Sequence, residues 1–453
     1  MRRTEGTILR RLLDLVAQLL TRLLAAVFYR SVEVRGLEHV PAGGPLIFVA
    51  NHANSLVDPL LLIALLPRKI RFLAKSTLWQ NPVLVPLLRL TGAVPVYRRQ
   101  DGGDMSRNDD TFARCHEELR AGGSVALFPE GISYDAPEMQ PLKTGAARIA
   151  MGVPGTRIVP VGLTFEDKAT FRSRVLLVIG EPLEPMQAED PKPLTARIEH
   201  ALHGVTLNFE SFQLSRAVER AAEVYAADER RLPERAGLAE HFSLRQAFGE
   251  GYADAREKHP EHVERIERIA HRYDGMLLAM GLRDDQVTSR YPWSYATAYL
   301  GDRVGLLLLA LPFAVLGTIL NYLPYRLPGF VGWRVREHRD LPATYKILTD
   351  MVALPVTWLL EAWAAAAAWG ATAGWLMLVG APLSGWLALL FHERHGSLWG
   401  EVGAYLTLRV RPRRAQALRA LRREIRREID ALVVEQRTEE DPELSPRSRT
   451  PSA

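Results

Sequence analysis

Residues 46–59 read Leu46-Ile47-Phe48-Val49-Ala50-Asn51-His52-Ala53-Asn54-Ser55-Leu56-Val57-Asp58-Pro59. An apolar run over 46–50 predicts a strand. It leads to a polar crest carrying His52, Asn54, Ser55 and Asp58, and an apolar stretch over 60–66 leads away. Strand, polar crest and helix together place side chains at a rim above a buried sheet. A His followed by an Asp can act as a base and its orienting partner, because the carboxylate selects the imidazole tautomer and stabilises the imidazolium. The same residues also suit a plain helix start, with Asp58 as N-cap and Pro59 at the first helical position. Asn51 and Asn54 suit turns. A second polar crest, Phe128-Pro129-Glu130-Gly131, follows another apolar run and favours the chemical reading.

Outward from that stretch, strand and helix signals alternate. Strands are predicted at 31–36, 46–50, 70–74, 92–99, 125–128, 158–163 and 174–179. Helices are predicted at 59–66, 82–91, 110–121 and 144–151. The expected fold class is α/β, with a mainly parallel sheet flanked by helices over residues 31–185. It is preceded by an amphipathic N-terminal helix within 1–30. That helix suits either the membrane interface or a docked surface position. Residues 186–300 are charge-rich and read as a helical region, with helices at 191–202, 213–231 and 260–281.

Residues 301–395 read as membrane-embedded helices. Residues 304–325 carry no charge and 351–391 carry only Glu361, enough length to cross ~30 Å of hydrocarbon. The second stretch fits two spans with a turn at 370–374. Basic residues flank both stretches, among them Arg326, Arg334, Arg394 and Arg409, which predicts that these flanks are cytoplasmic. Residues 304–325 are therefore expected to bend at Pro312 and Gly317 and return to the same side. A basic helix follows over 396–437, suited to anionic lipid, to solvent or to a coiled partner, and then a disordered tail over 438–453.

Composition narrows the function classes. The net charge of +5 suits an anionic surface or substrate. No nucleic-acid motif accompanies it, so no nucleic-acid partner is expected. A single cysteine, Cys115, excludes an intrachain disulfide and a cysteine-rich metal site.

Four blocks occur in order: Asn51-His52 with Asp58, Gly92 to Arg98, Phe128-Pro129-Glu130-Gly131, and Val159-Pro160-Val161-Gly162. Together they resemble the motif blocks of the glycerophospholipid acyltransferase family. Five residues separate His52 from Asp58, where the commoner family pattern has four. That spacing, with Ser133 in place of the usual arginine and Leu142-Lys143-Thr144-Gly145 downstream, looks like the fungal-type glycerol-3-phosphate acyltransferases and their bacterial relatives. The resemblance implies an O-acyltransferase of phospholipid biosynthesis. It would move a fatty acyl group from acyl-CoA or acyl carrier protein to glycerol 3-phosphate or 1-acylglycerol 3-phosphate.

The resemblance also implies roles. His52 is the base and Asp58 its partner. Arg98, or Arg99 in the other strand register, holds the acceptor phosphate. Glu130 and Gly131 bind the glycerol portion, and Lys143 is a further anion contact. No cofactor or metal is implied; the thioester is a co-substrate. The implied partners are membrane lipid, the acyl donor and a glycerol-phosphate acceptor, with the catalytic domain on the cytoplasmic face of the membrane. Two other readings stay open: acyl exchange between phospholipids without CoA, and a catalytically silent lipid-binding membrane protein.

Overall fold

The structure is a computed structural model and describes residues 2–82, 84–98, 102, 104–184, 190–229, 237–288, 293–335 and 342–440. The chain forms two compact units. One comprises Met1–Asn208 with Val331–Leu348, and the other Phe209–Phe330 with Thr349–Ala453.

A mixed sheet organises the first unit. Its strands are β1 (Tyr29–Arg35), β2 (Leu46–Ala50), β3 (Ile70–Lys75), β4 (Val94–Val96), β5 (Ser124–Leu127), β6 (Arg157–Phe165) and β7 (Ser173–Ile179). Their order is β1-β7-β6-β2-β5-β3-β4. The β6–β7 pair is antiparallel, and the other pairs among the described residues are parallel. All five residues of β2 are 0–1% exposed, as expected for a central strand covered on both faces. Ile47 and Val49 pack with Cys115, Leu119, Ile149 and Ile158.

The β2–β5 register sets up the site. Val49 lies opposite Leu127, so the chain leaves both strands at the same edge. The two crests therefore emerge side by side at the carboxyl ends of parallel strands, where open α/β sheets bind ligands.

The first unit extends past the expected limit at 185. Helix α6 (Pro191–His203) presents Leu194, Ile198 and Leu202 at four-residue steps, all 0–1% exposed in the sheet's core. Helix α1 (Arg2–Phe28) packs against α2 (Val57–Leu65) and α3 (Leu84–Thr91). It does so through small residues: Ala17, Thr21, Ala25 and then Phe28 are buried. Arg22 Nε donates to the Ala64 carbonyl at 2.9 Å, and Asp14 pairs with Lys69. The apolar face Leu13, Val16, Leu19 and Leu23 is left exposed.

The second unit is helical. Helices α7 (Phe212–Glu229), α9 (Pro260–Met280) and α15 (Pro412–Glu440) share a core of Val224, Ile269, Tyr273, Leu277, Leu418, Ile425 and Ile429. Helix α8 (Leu238–Lys258) falls in the region read as helical but was not singled out there, because its apolar residues follow no clear helical stripe. The apolar side of α15 is thus filled by protein rather than by lipid. Arg422, buried on this helix, pairs with Asp284 at 3.1 Å, and Tyr273 donates to the same carboxylate at 2.6 Å. The helix runs to Glu440, into the stretch expected to be disordered; residues 441–453 lie outside the described residues.

Among the described residues, two apolar helices are long enough to cross a membrane: Pro342–Trp369, here α13, and Ala371–Gly396, the first part of α14 (Ala371–Val410). They break at Gly370, φ +90°, where the turn was expected.

The expected bend at Pro312 and Gly317 is corrected. Helix α11 (Trp293–Leu320) runs through both residues. A 59° bend instead separates Leu307–Leu320 from Tyr322–Arg334, here α12. Asn321 sits at the break. Its amide donates to Gly317 O and Ala381 O at 3.0 and 3.2 Å, and accepts from Trp358 Nε1 at 2.9 Å. That side chain satisfies backbone carbonyls where the helix is interrupted. Gly317 serves close helix packing instead: a Cβ there would lie 2.0 Å from the Ser384 carbonyl oxygen.

Candidate active site

His52 stands one residue past the loop's first position, Asn51, after β2 ends. The Asn51 side chain continues the sheet ladder: it accepts from Leu163 N at 2.7 Å and donates to Leu163 O at 3.1 Å. The imidazole stacks on Phe128, with centroids 4.0 Å apart and planes 9° from parallel. Its Nδ1 lies 2.9 Å from Asp58 Oδ2. Asp58 is fully buried and His52 17% exposed at the side chain. Nδ1 thus carries the proton toward the carboxylate, which leaves the Nε2 lone pair as the base.

Asp58 is not the helix cap. Helix α2 starts at Val57, and Asp58 lies in its first turn. Its Oδ2 also accepts from Asn54 N at 2.8 Å. The charge is felt nearby: burial first, and Asp58 second, push the Tyr29 hydroxyl well above its ordinary pKa.

The structure gives Glu130 a different place from the one expected. Its side chain is 6% exposed. Oε1 accepts from His52 N at 2.7 Å, and Oε2 from Gln140 N at 2.8 Å. Both oxygens are turned into the two loops, so Glu130 braces one against the other. Burial pushes its carboxyl up, and the two backbone donors pull it back. Lys143 N donates to Pro129 O at 2.8 Å and closes the loop that Glu130 braces.

Gly131 follows at φ +72°. A Cβ there would meet Lys143 Nζ at 2.6 Å, so the position suits glycine. Arg98 reaches the same turn, where Nη1 donates to Gly131 O at 2.5 Å. The alternative, Arg99, lies outside the described residues.

His52, Arg98, Gly131 and Lys143 border one cavity of about 1410 Å³. That exceeds the roughly 300–1,000 Å³ of a single small-ligand pocket. Lys75 and Arg148 line it too. Its carboxylate Asp135 is engaged by Lys168 at 2.5 Å, so the chamber is cationic overall. Leu60, Ile63, Phe72, Leu84, Leu87 and Leu88 line an apolar portion. A base, cationic groups and an apolar recess suit an anionic acceptor and a fatty chain.

The expected residues therefore converge: His52 with Asp58, and Arg98, Gly131 and Lys143 with them. Glu130 is adjacent but faces the loops. Phe128, Asn51, Ser133 and Thr344 were not singled out for these contacts. Ser133 Oγ accepts from Ser55 N at 3.0 Å, which is a use for the serine that replaces the usual arginine. Only the fold brings it to Ser55. The fourth block is structural: Phe48, Val49 and Ala50 pair with Val159, Pro160 and Val161. A Cβ on Gly162 would lie 1.7 Å from the Val205 carbonyl oxygen.

A histidine held by a buried carboxylate, at the rim of a cationic and apolar cavity, has the arrangement that proton abstraction from a hydroxyl requires. Residues 31–164 match the family model described as Acyltransferase, so this part of the chain is an acyltransferase-family domain.

Among similar proteins is an uncharacterized acyltransferase of Schizosaccharomyces pombe, 25% identical over 446 residues, 73% of this chain and 65% of that protein. Glycerol-3-phosphate O-acyltransferase 2 of Saccharomyces cerevisiae is 29% identical over 40% of this chain and 26% of its own. A chloroplastic 1-acyl-sn-glycerol-3-phosphate acyltransferase of Brassica napus is 33% identical over 30% of this chain and 38% of its own. The chain spans less than two thirds of the length of these relatives.

Proposed function

We propose that the protein is a membrane-bound O-acyltransferase of phospholipid synthesis. It would transfer a fatty acyl group from an acyl-CoA or acyl carrier protein thioester to glycerol 3-phosphate or 1-acylglycerol 3-phosphate. The observation that carries this reading is the 2.9 Å contact between His52 Nδ1 and Asp58 at the mouth of the cationic cavity.

An alcohol is too weak an acid to ionise first, so its proton leaves as it attacks. His52 Nε2 takes that proton while the hydroxyl oxygen bonds to the thioester carbonyl carbon. The carbon–sulfur bond then breaks, and the imidazolium returns the proton to the leaving thiolate. Asp58 stabilises the cation between these steps. Arg98 and Lys143 hold the acceptor phosphate.

Membrane attachment is supported by the exposed apolar helices. Trp363, Trp369, Trp375 and Leu376 are 68–76% exposed, an arrangement water disfavours and hydrocarbon accepts. The exposed leucine face of α1 supports the same reading. The basic flanks of the apolar helices support a cytoplasmic catalytic domain.

The test is a purified His52→Ala protein, in a donor-by-acceptor panel with radiolabelled acyl-CoA and acyl carrier protein thioesters. Turnover should fall roughly 10²–10⁴-fold. Unchanged turnover would remove the proposed base.

A further inference from the structure

We infer that residues 342–348, from far beyond the stretch matched to the family, are a working wall of this site. In it Thr344 positions the loop between His52 and Asp58, and Tyr345 and Leu348 select the acyl chain. The inference rests on the acyltransferase reading above and deepens it.

Between His52 and the start of α2 the crest has one backbone hydrogen bond of its own, Val57 N to Asn54 O at 3.0 Å. Ser55 sits at φ +45°, a left-handed conformation that non-glycine residues adopt at a cost and only under constraint from outside. The constraint is a row of side-chain acceptors. His52 N is held by Glu130, Asn54 N by Asp58, Ser55 N by Ser133, and Leu56 N by Thr344 Oγ1 at 3.1 Å. The first three acceptors lie within the matched stretch and the fourth does not.

The Thr344 segment is seated rather than draped. Ala343 is 1%, Ile347 5% and Thr344 8% exposed, and residues 331–348 belong to the same compact unit as the sheet. Lys346 Nζ donates to Ala169 O at 2.6 Å. The neighbouring carbonyl, of Lys168, accepts from Asn54 Nδ2 at 3.1 Å. One short backbone stretch thus ties down both the crest and the 342–348 segment.

Thr344, Tyr345 and Leu348 line the cavity, as do Leu56, Pro59 and Leu60. Leu56 is bonded to Thr344, so this part of the wall meets the crest four positions from His52. A chain whose carbonyl lies at His52 would run along these side chains, so their size sets how much chain is accepted.

Thr344→Val keeps the shape and removes the acceptor; Thr344→Ser keeps the acceptor. A small misplacement of the base is costly, up to about 100-fold for ~1 Å. We expect Thr344→Val to lower kcat roughly 10- to 100-fold with the acceptor KM nearly unchanged, and Thr344→Ser to restore most of it. Leu348→Ala should move donor preference toward longer acyl chains, and Leu348→Phe toward shorter ones. Full kcat in Thr344→Val, in a protein that His52→Ala inactivates, would overturn the positioning role. So would equal losses in Thr344→Val and Thr344→Ser that follow only the folded fraction. An unmoved chain-length profile in both Leu348 variants would overturn the selection role. Activity retained in His52→Ala would instead bring down the acyltransferase reading itself.

Discussion

Strand β2 carries no charge and residues 351–391 carry only Glu361, yet their surroundings are opposite. Every β2 residue is 0–1% exposed. The most apolar windows of the two long helices are only 6% and 22% buried within the protein. Hydrophobicity states that a segment leaves water and does not state where it goes. A short run bounded by turns fits between two strands. A charge-free run of twenty residues or more can satisfy its own backbone as a helix and face hydrocarbon. In the first unit, the buried run exists to support a polar crest at its end. In the second, the apolar surface itself is the feature.

Asp58→Asn tests the polar crest most severely. The amide keeps the size but can donate to Nδ1, which puts the imidazole proton on Nε2 and removes the base. A fall of roughly 10³–10⁴-fold in kcat is expected, with a stability loss of about 1–3 kcal/mol because the Asn54 amide loses the oxygen it shares with the imidazole. Normal turnover would mean that the buried carboxylate is only a structural partner.

Glu130→Ala comes next. It leaves the N–H groups of His52 and Gln140 without acceptors, a cost of about 1–3 kcal/mol each where water does not replace them. Both kcat and stability should fall, and Glu130→Gln should recover part of each because its carbonyl can still hold one amide. A change confined to the acceptor KM would instead place Glu130 against the substrate.

Leu383→Arg, near the middle of Ala371–Gly396 and 57% exposed, separates the two kinds of apolar segment. On a water-facing helix the change would alter stability by no more than about 0.5 kcal/mol. In a span it should cost roughly 2.5–3.5 kcal/mol near the centre, seen as reduced accumulation in the membrane fraction.

The smallest effect is in the helical core. Burial raises the Glu223 carboxyl to about 7, despite Arg220 beside it. The folded state therefore binds a proton more tightly than the unfolded state, where the group has an ordinary carboxylate value. Stability should fall as pH rises from about 4.5 to 7. Glu223→Gln should flatten that slope in thermal melts; an unchanged slope would show the group to be well solvated.

The parts of the site that were legible in the sequence are local. His52 and Asp58 are six positions apart at the end of an apolar run, and a loop bordering a helix can bring them together by itself. The order of strands and helices was legible for the same reason, since periodicity and glycine punctuation are short-range signals. Three features were not. The Glu130 side chain was expected to face substrate, and nothing in Phe128-Pro129-Glu130-Gly131 says that its oxygens turn inward to two amides. The helix 191–203 was assigned to the following region, because amphipathicity shows that a face is buried but not against what. The bend at 321 was placed at proline and glycine, yet the residue that stabilises the break is an asparagine bonded to a carbonyl of another helix.

The sequence alone determined the alternating α/β order, the apolar lengths of the later helices, and the pairing of His52 with Asp58. These depend on residue type and spacing within a few turns of chain. Tertiary structure alone decided that β2 and β5 end side by side, that Glu130 and Ser133 hold the crest's amides, and that Thr344 reaches Leu56 from 288 positions away. Hydrogen bonds across such separations depend on where the sheet and its coverings place the chain, and no local preference encodes them.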